Sequence, residues 1–241
     1  SPNPFGHRYG SRFHPKCGWG ASTPSQRSPH QGGKLIVSRK VTLDTIVFDL
    51  GGVLIDWSPY HLYRKLFDND ADIASFLEEI DLYNWLRGVD ADKSFQRGVE
   101  ELSACLPHHA DMIEAYWHRC AETLNGTLDD SLAIVTELKA QGRPLYVISN
   151  WSSETWHHAT ERFDFLDIFD GMVISGLEGI AKPEPDIFHL ACERFDILPG
   201  QAVFIDDRAE NVESARRVGF HGVHFTDAVT LRQDLVALEI L

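Results

Sequence analysis

The sequence is short of several things, and each shortage removes a class of protein. It holds no run of 18 or more apolar residues, so nothing in it reads as a membrane-spanning helix and no membrane is expected as a partner. Cysteines number four: Cys17, Cys105, Cys120 and Cys192. No two stand two or three residues apart, which argues against a metal knuckle or a disulfide framework and fits a reduced, cytoplasmic setting. Each is expected to be a small buried hydrophobe. Basic residues are also scarce, 22 Lys and Arg against 36 Asp and Glu, for a net charge of −14. Seven of the basic residues lie within residues 1–40, where there is no Asp or Glu, so the rest carries 15 basic against 36 acidic residues, a net of −21. An acidic body lacks the footprint for a phosphate backbone, so nucleic acid is not expected as a partner. A protein of this charge that handles a small anion must gather its few cations at one place.

Residues 1–40 lack aliphatic side chains almost entirely before Leu35 and are rich in Ser, Pro, Gly, His and Arg. Such a stretch buries too little surface to offset its ordering entropy. It is expected to be a disordered, non-functional N-terminal extension. A transit segment has a similar basic, acid-free composition, and so does an expression remnant, a start set too early or a natural tail.

From Thr42 the pattern changes. Thr45-Ile-Val-Phe48 is a short apolar run, and similar runs follow at 144–148, 172–174, 202–205 and 222–225. They are continuous rather than alternating, as strands buried on both faces are. Helix-length segments lie between them, at 129–141, 154–163, 185–195 and 209–218, and Gly142 and Gly219 supply C-terminal stops. Alternation of this kind predicts an α/β fold, a parallel sheet with helices on both sides. Residues 58–126 break the rhythm. They carry helical patterns at 62–67, 71–80, 93–105 and 110–124 and no clear strand, so they are expected to be an α-helical insertion, with Asn125-Gly126 as the return hinge.

Polar residues with chemistry stand at the ends of these runs, and in an open α/β sheet ligands bind at the carboxyl ends of strands. Asp49 ends the first run and is followed by Leu50-Gly51-Gly52. A carboxylate there can act as nucleophile or ligate a hard cation, and the glycines let a ligand approach the backbone. A plain turn-forming Asp is the simpler alternative. Ser149-Asn150 offers a hydroxyl and an amide to phosphate oxygens, or an N-cap to the next helix. Lys182 precedes Pro183 and Pro185, which stiffen its loop, and a fixed ammonium there can neutralise both a phosphate and a carboxylate. Asp206-Asp207 places two adjacent carboxylates after an apolar strand, an arrangement that makes sense around a divalent cation.

The order Asp, Ser, Lys, Asp-Asp on successive strand ends resembles the haloacid dehalogenase superfamily over about residues 43–227. The resemblance implies a Rossmann-like three-layer parallel-sheet core, residues 41–57 and 127–241, with residues 58–126 inserted as a helical cap of the C1 type. It implies a magnesium-dependent hydrolase. Asp49 is then the nucleophile that becomes an aspartyl-phosphate. Ser149, Asn150 and Lys182 bind the phosphate. Asp49, the Gly51 carbonyl and Asp207 hold Mg2+, with Asp206 in support. Asp56 matches an acidic position at the entry to the cap. The substrate class is a small phosphorylated metabolite.

One departure stands out. Most phosphatases of the superfamily carry a second Asp two residues after the nucleophile, as general acid and base, and here that position is Gly51. The Asp-Leu-Gly variant resembles bacterial phosphatases acting on α-D-glucose 1-phosphate, which brings sugar phosphates into the substrate class. Protonation of the leaving group must then come from water, the substrate or a cap residue. Two other readings follow from the same departure. One is a 2-haloacid dehalogenase, which also lacks the second Asp but has no use for the Asp206-Asp207 pair. The other is a catalytically weak binding or regulatory protein on the same fold. The aromatics in and near the insertion (Trp57, Tyr60, Tyr63, Phe67, Tyr83, Trp85, Phe95, Tyr116 and Trp117) are expected to be core rather than pocket wall. Arg64, Arg87 and Arg97 suit either a second anionic group or a solvated face.

Overall fold

A computed structural model describes residues 42–91 and 94–241. The expected N-terminal extension, and Cys17 with it, lies outside the described residues. Chain order opens with β1 (Thr45–Phe48) and β2 (Ile55–Trp57). Five helices follow: α1 (Pro59–Tyr63), α2 (Asp70–Glu79), α3 (Leu82–Ala91), α4 (Phe95–Cys105) and α5 (Ala110–Arg119). Then come β3 (Leu124–Thr127), α6 (Asp129–Ala140), β4 (Leu145–Ser149), α7 (His157–Thr160), β5 (Gly171–Ile174), α8 (Ser175–Glu178) and α9 (Pro185–Phe195). The chain closes with β6 (Ala202–Asp206), α10 (Ala209–Val218), β7 (His221–His224) and α11 (Ala228–Ala237).

The five apolar runs form one sheet in the order β5-β4-β1-β6-β7, every pair parallel. Successive strand residues point to opposite faces, and both faces are covered. Ile46, Phe48, Leu145, Val147, Val203 and Ile205 pack on one side with Ile134 and Leu138 of α6 and Leu231 and Leu235 of α11. Val47, Ile148, Ala202 and Phe204 pack on the other with Ile187 and Phe188 of α9 and Ala215 of α10. Double burial explains why the strands read as unbroken apolar runs. Phe48 is fully buried, and truncating such a side chain costs about 3–5 kcal/mol. The α/β expectation holds.

The insertion has its own core, in which Leu62, Tyr63, Ile73, Phe76, Leu86, Phe95, Ile113 and Tyr116 are buried. Edge-to-face rings hold it, such as Tyr63 on Phe76 at 4.9 Å. Local signals set its helices: Ser58 caps α1 ahead of Pro59, Asn69 caps α2 and Ser94 caps α4.

Three expectations change. The insertion does contain a strand: β3 pairs antiparallel with β2, Trp57 opposite Leu124, as a ribbon where the chain leaves and re-enters the core. Each strand is only three or four residues long, too short for alternation to show. The helix expected at 154–163 shrinks to α7, because the segment before it turns back on Ser152 and the segment after it enters a 3-10 turn at Asp164–Ile168. Cys105 is exposed rather than buried, while Cys120 and Cys192 are half-buried. Burial pushes these last two thiols up to about 11, which leaves them protonated and unreactive. No described helix is long and apolar enough to cross a membrane.

Candidate active site

The carboxyl ends of β1, β4 and β6 bring the expected residues to one place. Asp49 follows β1, and its N–H donates to the Ile205 carbonyl of β6 at 2.9 Å, so the neighbouring strand fixes its backbone. Three donors converge on Oδ1: Leu50 N–H at 2.7 Å, Ser149 Oγ at 2.8 Å and Lys182 Nζ at 2.9 Å. Among the described residues no donor reaches Oδ2. One oxygen of this buried carboxylate is therefore held while the other keeps its lone pairs.

Lys182 is only 1% exposed, and its ammonium is shared between Asp49 and Asp206 Oδ2, the latter at 2.7 Å. Its stem lies by Phe204, with Nζ 5.5 Å from the ring centroid. Burial works against its charge, but Asp206 and Asp49 outweigh that and hold the ammonium above its ordinary range. Asn150 positions this lysine. The amide oxygen accepts from Lys182 N–H at 2.8 Å, and the amide nitrogen donates to the Lys182 carbonyl at 2.9 Å. The Asn150 amide, expected on phosphate, is thus engaged with the lysine loop. The Lys182–Pro183 peptide is cis.

Asp206 is fully buried. It accepts from the Arg208 N–H at 2.8 Å and from Asn211 Nδ2 on both oxygens at 3.0 Å, besides Lys182. Burial raises its carboxyl; Lys182 opposes this and the Asp49 charge adds to it, because two carboxylates compete for one ammonium. Asp207 is exposed by comparison, and its carboxyl is also raised, first by desolvation and then by Asp206. Oxygens of Asp49, Asp206 and Asp207 lie within 4.8 Å of one another. Three carboxylates around one ammonium leave a surplus of negative charge that a hard divalent cation would neutralise. The backbone makes room for this arrangement. Gly52 has φ +74, and a Cβ there would meet Asp207 Oδ2 at 2.6 Å. The residues present therefore fit a hard divalent cation.

A cavity of about 640 Å³ opens at these groups. Asp49, Gly51, Ser149, Asn150, Lys182 and Asp207 line it from the sheet side, whereas Asp206 stands behind the wall. The insertion supplies Tyr83, Leu86, Arg87, Asp90, Phe95 and Tyr116. Of the aromatics expected to be core only, Trp57, Tyr83, Phe95 and Tyr116 reach the wall; Phe95 and Tyr116 do so while remaining in the insertion core. Of the three arginines only Arg87 reaches it; Arg64 pairs with Asp70 and Arg97 with Glu101. Asp56 is turned to the ribbon. It accepts from Asn125 at 2.8 Å and meets His61 at 3.0 Å, and the Asn125 bond is the leading reason its carboxyl is lowered.

Two residues that sequence reasoning missed belong here. Asn211 sits five residues past Asp206, in the first turns of α10, and its amide is spent on Asp206. Asp90 lies in α3, a helix whose Leu82, Leu86 and Val89 spacing is itself a legible amphipathic signal.

A carboxylate with one held and one free oxygen, a buried ammonium and an acidic pair, all at the carboxyl ends of parallel strands, define an α/β hydrolytic enzyme of the Rossmann-like class. The sequence profile of the haloacid dehalogenase-like hydrolases matches residues 43–219, and the chain belongs to that family. It is 28% identical over 200 residues to the sesquiterpene phosphatase astK of Aspergillus oryzae, covering 80% of this chain and 95% of that protein. It is 30% identical over 206 residues to the glyceraldehyde 3-phosphate phosphatase of Pyrococcus furiosus, covering 76% of this chain and 80% of that one. Its fold is similar to the magnesium complex of the HAD family enzyme bt-2542 from Bacteroides thetaiotaomicron, with a TM-score of 0.56, 23% identity, and coverage of 78% and 95%.

Proposed function

We propose that this hydrolase is a magnesium-dependent phosphatase. It hydrolyses small phosphate monoesters, sugar phosphates among them, through an aspartyl-phosphate on Asp49. The observation that carries the reading is the Asp49–Lys182–Asp206 triad with Asp207 alongside it. Carbon–halogen attack has no use for a second and third carboxylate; a dianionic phosphate held by a metal does. The two phosphatase relatives support the same reading. Residues 41–57 and 127–241 form the catalytic core, and residues 58–126 form the cap that selects substrate.

Asp49 Oδ2 attacks the phosphorus in line while Oδ1 stays held by the Leu50 N–H. The Ser149 hydroxyl and the Lys182 ammonium turn toward the non-bridging oxygens and stabilise their charge. Asn150 and Asp206 keep Lys182 in place. Asp49, Asp207 and the Gly51 carbonyl would hold Mg2+, with Asp206 in support, and the bound ion would supply neutralising charge for the phosphoryl group. The ester bond breaks, and water then releases inorganic phosphate from Asp49.

The test is p-nitrophenyl phosphate hydrolysis in magnesium and in EDTA, beside chloride release from 2-chloropropionate. Magnesium-dependent nitrophenol release is expected. Metal-independent chloride release would replace this reading with dehalogenation, and silence in both assays would replace it with a binding role.

A further inference from the structure

With Gly51 where a proton-carrying Asp is usual, the site as described has no group to protonate the leaving oxygen. An in-line attack from Asp49 drives that oxygen to the side of the phosphorus remote from the strand ends. The insertion forms the other wall of the cavity, and it brings two carboxyls there: Asp81, which is exposed and accepts from Asn84 Nδ2 at 2.8 Å, and Asp90, less exposed, at the end of α3. The placement of Asp90 is set by the core. The Asp90 carbonyl accepts from Ser175 Oγ at 2.7 Å, and Ser175 Oγ in turn accepts from Trp151 N–H at 2.9 Å. The Ser152 backbone lies near enough to the Asp90 carboxyl to favour its charged form. That loop begins directly after Ser149, so Asp90 and the floor of the site are tied to the same few residues. The loop packs closely on Gly176, where a Cβ would lie 2.7 Å from the Trp151 carbonyl oxygen.

We propose that Asp90 is the general acid and base of this enzyme, a catalytic residue supplied by the insertion in place of the Asp missing at position 51. The proposal rests on the phosphatase reading above. In the first step Asp49 Oδ2 bonds to phosphorus, the bond from phosphorus to the leaving oxygen breaks with its electron pair on that oxygen, and the Asp90 carboxylic acid gives it a proton. In the second, the Asp90 carboxylate takes a proton from water as the water oxygen bonds to phosphorus. The Asp49 carboxylate is then released with inorganic phosphate. Charge and protons balance over the cycle.

The other candidates on the wall are less suited. Burial drives Tyr116 well above its ordinary range and puts Cys120 at about 11, so neither gives up a proton readily near neutrality. His158 is lowered by burial and by His157, which leaves it short of a proton. Lys182 and Arg208 face the cavity as fixed cations. The Asp90 carboxyl is raised by burial to about 7, with the Ser152 backbone pulling the other way, which suits a group that must hold and then surrender a proton.

The experiment is kcat/KM of the full chain in magnesium for phenyl, 4-nitrophenyl and 2,4-dinitrophenyl phosphates, wild type beside Asp90→Asn. These esters differ little in shape but greatly in their need for protonation. The loss in Asp90→Asn is expected to climb from near onefold for the dinitrophenyl ester to roughly 10²-fold or more for the phenyl ester. A loss equal across the series would make Asp90 a pocket residue and overturn the proposal, whereas a wild type inactive on all three would overturn the phosphatase reading instead. Gly51→Asp added to Asp90→Asn is expected to flatten the series again. Position 51 accepts a Cβ without crowding, since the nearest atom to it is Trp57 Cβ at 3.7 Å. Should Asp90→Asn not fold, the wild-type ratio of phenyl to dinitrophenyl kcat/KM must fall as pH rises past about 7; a flat ratio overturns the proposal.

Discussion

Gly52→Ala isolates the contribution of backbone shape to the metal-binding corner. Two separable effects follow from the structure. At φ +74 an alanine is strained, by about 1–2 kcal/mol, and the stiffer unfolded chain returns roughly 0.4–1 kcal/mol of that. The second effect is local: the new Cβ lies 2.6 Å from Asp207 Oδ2 and 3.0 Å from Asp207 Cγ, so that carboxylate must move. Gly142→Ala is the control, because Gly142 has φ +75 at the end of α6 and a Cβ there meets nothing within 4 Å. Both variants should lose about 1 kcal/mol, or roughly 2–4 °C in Tm for a chain of this size. Only Gly52→Ala should also need more magnesium. Displacing one carboxylate ligand is expected to raise the half-saturating concentration by at least tenfold, since about 1.4 kcal/mol is tenfold in affinity. Thermal melts in EDTA and magnesium titrations of turnover check both parts. If the two variants match in magnesium requirement, Asp207 is not where the ion binds.

Lys182→Met removes the one ammonium between Asp49 and Asp206 and strands two buried carboxylates; breaking such a group costs about 3–5 kcal/mol. Its melt in EDTA should fall by roughly 10 °C, and an unchanged melt would mean the triad is not buried as described. Asp90→Asn should change stability with pH. The native carboxyl titrates near 7 and the unfolded one near 3.8, so wild type loses stability as pH rises between those values, and the amide does not. Relative to wild type, the variant should therefore gain a few kcal/mol between pH 4 and pH 8 by chemical denaturation. A gain independent of pH would place the Asp90 carboxyl in water. Gly176→Ala should unsettle the 151–153 loop, whose Trp151 carbonyl oxygen would lie 2.7 Å from the new Cβ, and lower kcat/KM together with Tm. Turnover at the wild-type rate would mean that the loop does not set the site.

Much of the sheet was readable because double burial makes its strands apolar without interruption, and because each run ends in a polar residue. Asp49, Ser149 and Asp207 were legible for that reason: an ionisable or hydroxylic side chain at the end of such a strand has nowhere to face but the carboxyl-end crevice, whereas Lys182, eight residues past β5, was legible from the Pro183 and Pro185 that stiffen its loop. The roles of their neighbours were not legible. Asn150 has the same sequence context whether its amide meets a phosphate or the Lys182 backbone, and only tertiary pairing decides. The β2–β3 ribbon was hidden by its length and by Gly126, and α7 was overestimated because turns on either side of it keep helical composition. Asp90 was missed although Leu82, Leu86 and Val89 mark α3. Its importance depends on how the insertion meets the 151–153 loop, a contact between residues about 60 positions apart that no local pattern encodes.

Acid-quenched turnover of a phosphate ester in magnesium, followed by mass spectrometry of the peptide that carries Asp49, tests the central claim most directly. The account predicts a phosphoryl group on Asp49 during turnover, and none in Asp49→Asn, which should also be inactive. Steady hydrolysis with that peptide unmodified, and with Asp49→Asn working at the wild-type rate, would contradict it.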